Sequence, residues 1–184
     1  MPIRITGGMM RGRYVPSPDT SKTRPTASRT REALFNTLQG VENFRMLDLF
    51  AGTGIMGIEA LSRGAASVTA VEMAHAQARL VLQAYKTLSL ESKLLLLERN
   101  ALTLDRDVLC ASGGFDLIYA DPPFKDRDYP DLRPYWRWLN PGGVAVFEAP
   151  SRNLPAWVKE AYEAGLVQVR RYGESSLVIY RSNG

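Results

Sequence analysis

Residues 46–57 read Met46-Leu47-Asp48-Leu49-Phe50-Ala51-Gly52-Thr53-Gly54-Ile55-Met56-Gly57. A short apolar run reaches a carboxylate, a glycine turn follows, and apolar residues at helical spacing continue from Ile55. Strand, glycine turn and helix in that order open a parallel α/β unit whose turn lets a ligand approach the backbone. The alternation persists along the chain. Further strands are expected at residues 67–72, 93–98, 115–121 and 144–149, and helices at 55–63, 74–88, 101–110, 131–139 and 155–163. Such alternation predicts an α/β fold with a mostly parallel sheet covered on both faces. Residues 166–172 and 175–181 are separated only by Gly173 and Glu174, so they predict a closing hairpin and at least one antiparallel strand.

Working outward, the chain has 184 residues, 45% hydrophobic and 23% charged, which suits one ordinary domain with a small appendage. A single cysteine, Cys110, excludes a disulfide framework and a cysteine-rich zinc site. A single histidine, His75, argues against a histidine metal centre or a serine–histidine triad, so no metal is expected. No apolar run approaches the ~18–20 residues that span a bilayer. The first residues lack the pattern of a secretory signal, and a cytoplasmic protein without membrane contact is expected.

The charge is uneven. Residues 1–45 hold eight Lys/Arg against three Asp/Glu, a net +5, while residues 46–184 hold fifteen against sixteen, a net −1. Residues 1–40 therefore read as a basic arm or hairpin followed by a helix, and residues 41–184 as the main domain. In the arm, Gly7, Gly8 and Gly12 suit a hairpin, and Thr26 is placed to cap a helix from Ala27 to Gln39 that Gly40 ends. A basic segment on a near-neutral body points to a polyanionic partner, with Arg11, Arg13, Arg24, Arg29 and Arg31 as its candidate contacts. The alternative is a solvated charged face.

The glycine turn has partners further along. Glu72 ends the second strand twenty residues after Gly52, where an acid accepts hydrogen bonds from both ribose hydroxyls of a nucleoside. A GxGxxG turn alone also fits nicotinamide cofactors. Asp48 decides otherwise, because a carboxylate beside the glycines repels a pyrophosphate and suits a ligand with an ammonium group. S-adenosylmethionine has an amino-acid end, a sulfonium charge and no phosphate. Its expected contacts are Asp48, Phe50, Gly52, Gly54, Gly57 and Glu72, with Asp121 at the reacting end. Asn100 is placed either to cap a helix or, with Ala101, to contact the adenine.

The fourth strand ends in Asp121-Pro122-Pro123-Phe124. Two prolines fix φ twice and remove two donors, so the loop is stiff and its carbonyls are left as acceptors. The Asp121 side chain and the Pro122 carbonyl form two acceptors for the two N–H bonds of an exocyclic amine, and Phe124 provides a stacking face for its ring. Held that way, the nitrogen lone pair is drawn out of conjugation toward a methyl donor. Positioning and electrostatics then carry most of the rate. Trp136 and Trp138 read as sheet-packing residues, His75 as an exposed first residue of a helix, and Cys110 as a buried small hydrophobe.

Asp48 to Gly57, Glu72 and Asp121 to Phe124 resemble the cofactor and catalytic motifs of class I amino-methyltransferases. Arg4-Ile5-Thr6-Gly7-Gly8, Arg11-Gly12-Arg13, Thr23-Arg24-Pro25-Thr26 and Arg29 through Asn36 narrow the resemblance to the RsmD family. It covers essentially the whole chain. It implies a Rossmann-like, seven-stranded sheet with S-adenosylmethionine at the carboxyl ends of its strands and S-adenosyl-L-homocysteine as product. It also implies methylation of N2 of one guanine in 16S ribosomal RNA, within the 30S subunit or a late assembly intermediate, by a protein expected to be a monomer. The rivals are a DNA adenine or cytosine N-methyltransferase, for whose target-recognition domain little chain remains, and a catalytically idle ribosome assembly factor.

Overall fold

A computed structural model describes residues 2–16, 25–110, 113–123 and 129–184, with the side chains of 25–27 and 108 excepted. Nine strands are described: β1 (Ile3–Arg4), β2 (Tyr14–Val15), β3 (Arg45–Asp48), β4 (Ser67–Val71), β5 (Leu94–Leu97), β6 (Phe115–Ala120), β7 (Leu139–Pro150), β8 (Val167–Tyr172) and β9 (Ser175–Arg181). Five α-helices accompany them: α1 (Pro25–Thr37), α2 (Ile55–Ser62), α3 (His75–Thr87), α4 (Arg106–Leu109) and α5 (Ala156–Glu163). β1 and β2 form a small antiparallel hairpin, and the other seven strands follow the order β5-β4-β3-β6-β7-β9-β8. β3–β4, β4–β5 and β6–β7 pair parallel, whereas β9 pairs antiparallel with both β7 and β8. The closing hairpin thus inserts its second strand next to β7, and the expected seven-stranded, mostly parallel sheet is present.

The chain divides into two compact units, residues 1–104 and 105–184. In the first unit, all eight residues of α2 are buried. A helix buried all round needs cover on every side, and the amino-terminal hairpin supplies part of it. Met9 N–H donates to the Ser62 carbonyl at 2.7 Å, Met10 N–H to Ser62 Oγ at 2.9 Å, and Ser62 Oγ–H to the Gly7 carbonyl at 2.6 Å. A Cβ on Gly8 would stand 1.8 Å from the Ser62 carbonyl oxygen, so only glycine permits this approach. Ile5, Val15, Leu34 and Phe35 are buried with the rest of this unit's core.

In the second unit, β6 and β7 place Phe115, Leu117, Ile118, Val144, Val146 and Phe147 in the core. Trp157 of α5 meets Phe147 edge-on at 6.1 Å. β7 is longer than the expected 144–149. Phe115 pairs with Leu139 and Leu117 with Val144, so residues 140–143 bulge outward opposite Asp116. Asn140 Nδ2 closes the bulge by donating to Asp116 Oδ1 at 2.7 Å.

Three helices differ from expectation. α1 starts at Pro25, whose missing N–H costs nothing in the first turn, so Thr26 lies inside the helix rather than capping it. The helix expected over 101–110 breaks into a 3₁₀ turn at Ala101–Thr103 and the short α4. Two caps restart the chain there: Asn100 accepts from Leu102 N–H, and Asp105 accepts from Asp107 N–H. Residues Arg133–Trp138 are 3₁₀ rather than α.

Candidate active site

The glycine turn sits at the carboxyl end of β3, the position where parallel α/β sheets bind ligands. Gly52 and Gly54 have φ of 54° and 74°, and Gly54 opens α2 with no side-chain cap. The turn is braced from the next strand. Glu72 follows β4, is half-buried, and accepts from Gly52 N–H at 3.0 Å and from Ala74 N–H at 2.9 Å. Gln77 Nε2 donates to the Gly52 carbonyl from the first turns of α3. Sequence reasoning missed Gln77; its only signal is its place one helical turn into the helix after Glu72.

Gly57 has a different task from the other glycines. A Cβ there would meet Tyr85 Oη at 2.1 Å and Val68 Cγ1 at 2.8 Å. The space a side chain would need is filled by Tyr85 and Val68, so Gly57 lets α2 lie close to α3 and β4. Asp48 is buried at the end of β3. Burial, and secondarily the Asp48 charge, holds the Tyr85 phenol well above its usual range. Asp48 is thus enclosed by the protein rather than set on an open surface. Phe50 is half-buried. Asn100 is exposed and caps the 3₁₀ turn, its Oδ1 accepting from Leu102 N–H at 3.0 Å, while Ala101 is buried.

In the second unit, Asp121 follows β6 directly, with Pro122 buried and Pro123 exposed. Phe124 lies outside the described residues, as do Lys125 and Arg127. Asp121 is open to solvent at one side, yet the protein packed around its carboxyl desolvates it. That desolvation, and secondarily the charge of Glu148, pushes its pKa up to about 7. Glu148 lies near the carboxyl end of β7. Its Oε1 accepts from Tyr119 Oη at 2.6 Å, and its backbone carbonyl accepts from Tyr129 Oη. Burial raises Glu148 above the usual carboxylate range, against the lowering effect of hydroxyl donors on Tyr119 and Ser175. Tyr129 is raised by burial and by the charges of Asp121 and Glu148. Glu148 was not singled out in the sequence, although its signal resembles that of Asp48, Glu72 and Asp121: an acid near the carboxyl end of an apolar strand.

The basic arm divides its arginines. Arg11, Arg13 and Arg29 are exposed, and Arg24 lies outside the described residues. Arg31 is the exception and corrects the sequence reading. It is 5% exposed, and its Nε donates to Glu59 Oε1 at 2.9 Å while NH2 donates to the Arg4 carbonyl at 2.8 Å. The Glu59 carboxylate, fully enclosed in α2, needs that cation, so Arg31 holds the arm rather than facing a nucleic acid. Trp136 stacks on Tyr180 with centroids 4.1 Å apart, and Trp138 meets Tyr135 edge-on at 4.8 Å, as expected of packing residues. Cys110 is half-buried rather than buried. His75 is exposed, with Nδ1 2.6 Å from Glu98 Oε2. No described helix is long and apolar enough to cross a membrane.

The family model described as "Conserved hypothetical protein 95" matches residues 3–181. The chain belongs to this family. It is the RsmD family to which the amino-terminal signature pointed. "Ribosomal RNA small subunit methyltransferase D" of Escherichia coli K12 is 40% identical over 125 residues, which cover 67% of this chain and 61% of that protein's length. The matched chain thus spans less than two thirds of that relative. "Putative rRNA methyltransferase YlbH" of Bacillus subtilis is 30% identical over 99% of this chain and 100% of its own. Among solved structures, "Putative methyltransferase yhhF from Escherichia coli" is 29% identical, covers 100% of this chain and 99% of that one, and has a TM-score of 0.74. RsmD membership and the sheet order agree on a Rossmann-like class I fold.

Proposed function

We propose that this RsmD-family chain is an S-adenosylmethionine-dependent methyltransferase that modifies the exocyclic N2 amine of a guanine in 16S ribosomal RNA. The observation that carries the reading is the strand-end Asp121-Pro122-Pro123, with its desolvated carboxylate, in a chain that also has a carboxylate-braced glycine turn. The printed names of the Escherichia coli and Bacillus subtilis relatives support the RNA substrate.

The residues present fit the cofactor. The groups around the turn are carboxylates, Asp48 and Glu72, which suit an ammonium and ribose hydroxyls and disfavour a pyrophosphate. When bound, S-adenosylmethionine supplies a methyl group activated by a sulfonium. Glu72 exchanges part of its bonding to the Gly52 and Ala74 amides for the ribose. Asp121 and the Pro122 carbonyl accept from the amine and aim its lone pair, and Phe124 stacks on the base. Arg11, Arg13, Arg24 and Arg29 bind phosphates and set the position of the RNA without reading its sequence. The 30S subunit or a late assembly intermediate as the true substrate, a monomeric state and a cytoplasmic location belong to the same reading.

Incubation with methyl-labelled S-adenosylmethionine and, in separate reactions, DNA, free 16S RNA or 30S particles tests it. Label should enter guanine N2 in 30S particles. Label in DNA supports a DNA N-methyltransferase, and cofactor binding without transfer to any of the three supports an idle assembly factor.

A further inference from the structure

All five parallel strands carry an acid at or near the carboxyl end: Asp48, Glu72, Glu98, Asp121 and Glu148. Glu98 meets His75 at the surface, and the proposed chemistry leaves Glu148 without a task. The register of β6 and β7 pairs Tyr119 with Val146 and Ala120 with Phe147, so the next step along each strand carries Asp121 on one and Glu148 on the other. Glu148 is held at three points, two on its carboxylate and one on its backbone. Tyr119 Oη of β6 donates to its Oε1 at 2.6 Å, the Ser175 hydroxyl of β9 donates to its carboxylate, and Tyr129 Oη is tied to its backbone carbonyl. Tyr129 in turn stacks on Trp157 of α5, and Trp157 Nε1 donates to the Pro130 carbonyl at 3.0 Å, which braces the ring. Among the described residues, the titratable groups interacting with Glu148 are Tyr119, Tyr129 and Asp121, none of them positively charged. Two hydroxyl donors hold the half-buried carboxylate beside the catalytic one.

Resting on the methyltransferase reading, we propose that Glu148 is a positioning residue for Asp121: its fixed negative charge makes Asp121 the acceptor of the proton that the amine releases on methylation. The amine lone pair forms the new N–C bond as the S–C bond breaks, and the electrons of the broken bond return to sulfur, which becomes a neutral thioether. The nitrogen is left positive. One of its protons passes to the Asp121 carboxylate, which becomes a neutral acid, and the methylated amine leaves neutral. A lone aspartate of ordinary acidity would hold that proton poorly at neutral pH. The like charge of Glu148, added to desolvation, matches Asp121 to the task.

The decisive variant is Glu148→Gln, which keeps the shape and the acceptor for Tyr119 but removes the charge. Carbon-13 carboxyl NMR on the whole protein, without cofactor or RNA, should show the Asp121 titration midpoint falling by roughly one unit, the scale of a neighbouring charge. Burial, the larger cause, remains, so the midpoint should stay above the usual carboxylate range. The acid limb of the single-turnover pH–rate profile on 30S particles should move down by the same amount. Glu148→Asp, which restores the charge, should move both back toward wild type. An unchanged midpoint overturns the inference, as does a midpoint that falls while the kinetic limb stays in place. Wild-type protein inert on every nucleic acid overturns the methyltransferase reading instead, and the NMR titration still decides whether Glu148 governs Asp121.

Discussion

Arg31 Nε and Glu59 Oε1 lie 2.9 Å apart with 4% and 0% of their side chains exposed. One ion pair thus joins the helix of the basic segment to the first helix of the parallel sheet. Glu59 Oε1 also accepts from Thr6 N–H at 2.6 Å, and its Oε2 lies 3.4 Å from Arg63 Nε. The Arg63 guanidinium in turn covers the Phe35 ring at 4.9 Å. A carboxylate enclosed inside a helix is tolerable only because two cations and a backbone donor meet it.

Glu59→Ala should therefore destabilise the protein by about 3–5 kcal/mol, the usual cost of leaving a buried partner charge uncompensated. Urea unfolding followed by circular dichroism measures this. A loss under 1 kcal/mol would mean that Arg31 and the arm find water without disturbing the fold.

Glu72→Ala should weaken S-adenosylmethionine binding by roughly tenfold or more, since each hydrogen bond to a charged acceptor is worth ~1.5–3 kcal/mol. The Gly52 and Ala74 amides also lose their acceptor, so the turn itself loosens. Titration calorimetry reads the affinity directly, and an unchanged value would place the ribose elsewhere.

Asp121→Ala should leave cofactor affinity near wild type and lower the single-turnover methyl-transfer rate by about 10²–10³. The raised pKa makes a separate claim on stability. The folded protein holds this proton up to about 7, whereas the unfolded chain releases it near the ordinary value of 3.8, so the folded state binds more protons between those limits. Stability should fall as pH rises through that window in wild type relative to Asp121→Asn, whose side chain does not titrate. Parallel melting-temperature curves for the two proteins from pH 4 to 8 would contradict the shift.

Replacing exposed Arg11 and Arg13 together by Ala should weaken binding to 30S particles and flatten its salt dependence by ~0.7–0.9 in log–log slope for each phosphate no longer neutralised. Cofactor affinity should not change. Filter binding across a salt series reads the slope. Wild-type behaviour would reduce the pair to solvated charge and direct attention to Lys125, Arg127 and Arg152.

The order of strands and helices was legible because each signal is local. An apolar run of strand length, a glycine turn and a helical repeat are properties of ten or so consecutive residues, and Asp48, Glu72 and Asp121 stand at strand ends because the runs before them stop there. The misread helices failed for equally local reasons. Asn100 and Asp105 each cap their own turn and so divide one expected helix into two, and Pro25 starts α1 before Thr26.

The sequence by itself determined the parallel α/β architecture, the glycine turn with its bracing acid, the strand-end Asp-Pro-Pro and the basic character of the amino-terminal quarter. Tertiary structure alone decided which of those charges are available. Arg31 and Arg29 stand two residues apart in the same helix, and one is buried on Glu59 while the other is exposed. Glu148 acquires its bearing on Asp121 only through the β6–β7 register and the tyrosines that hold it. The physical reason is common to both cases. A charge takes its meaning from the dielectric and the partners around it, and those are set by chain segments tens of residues away.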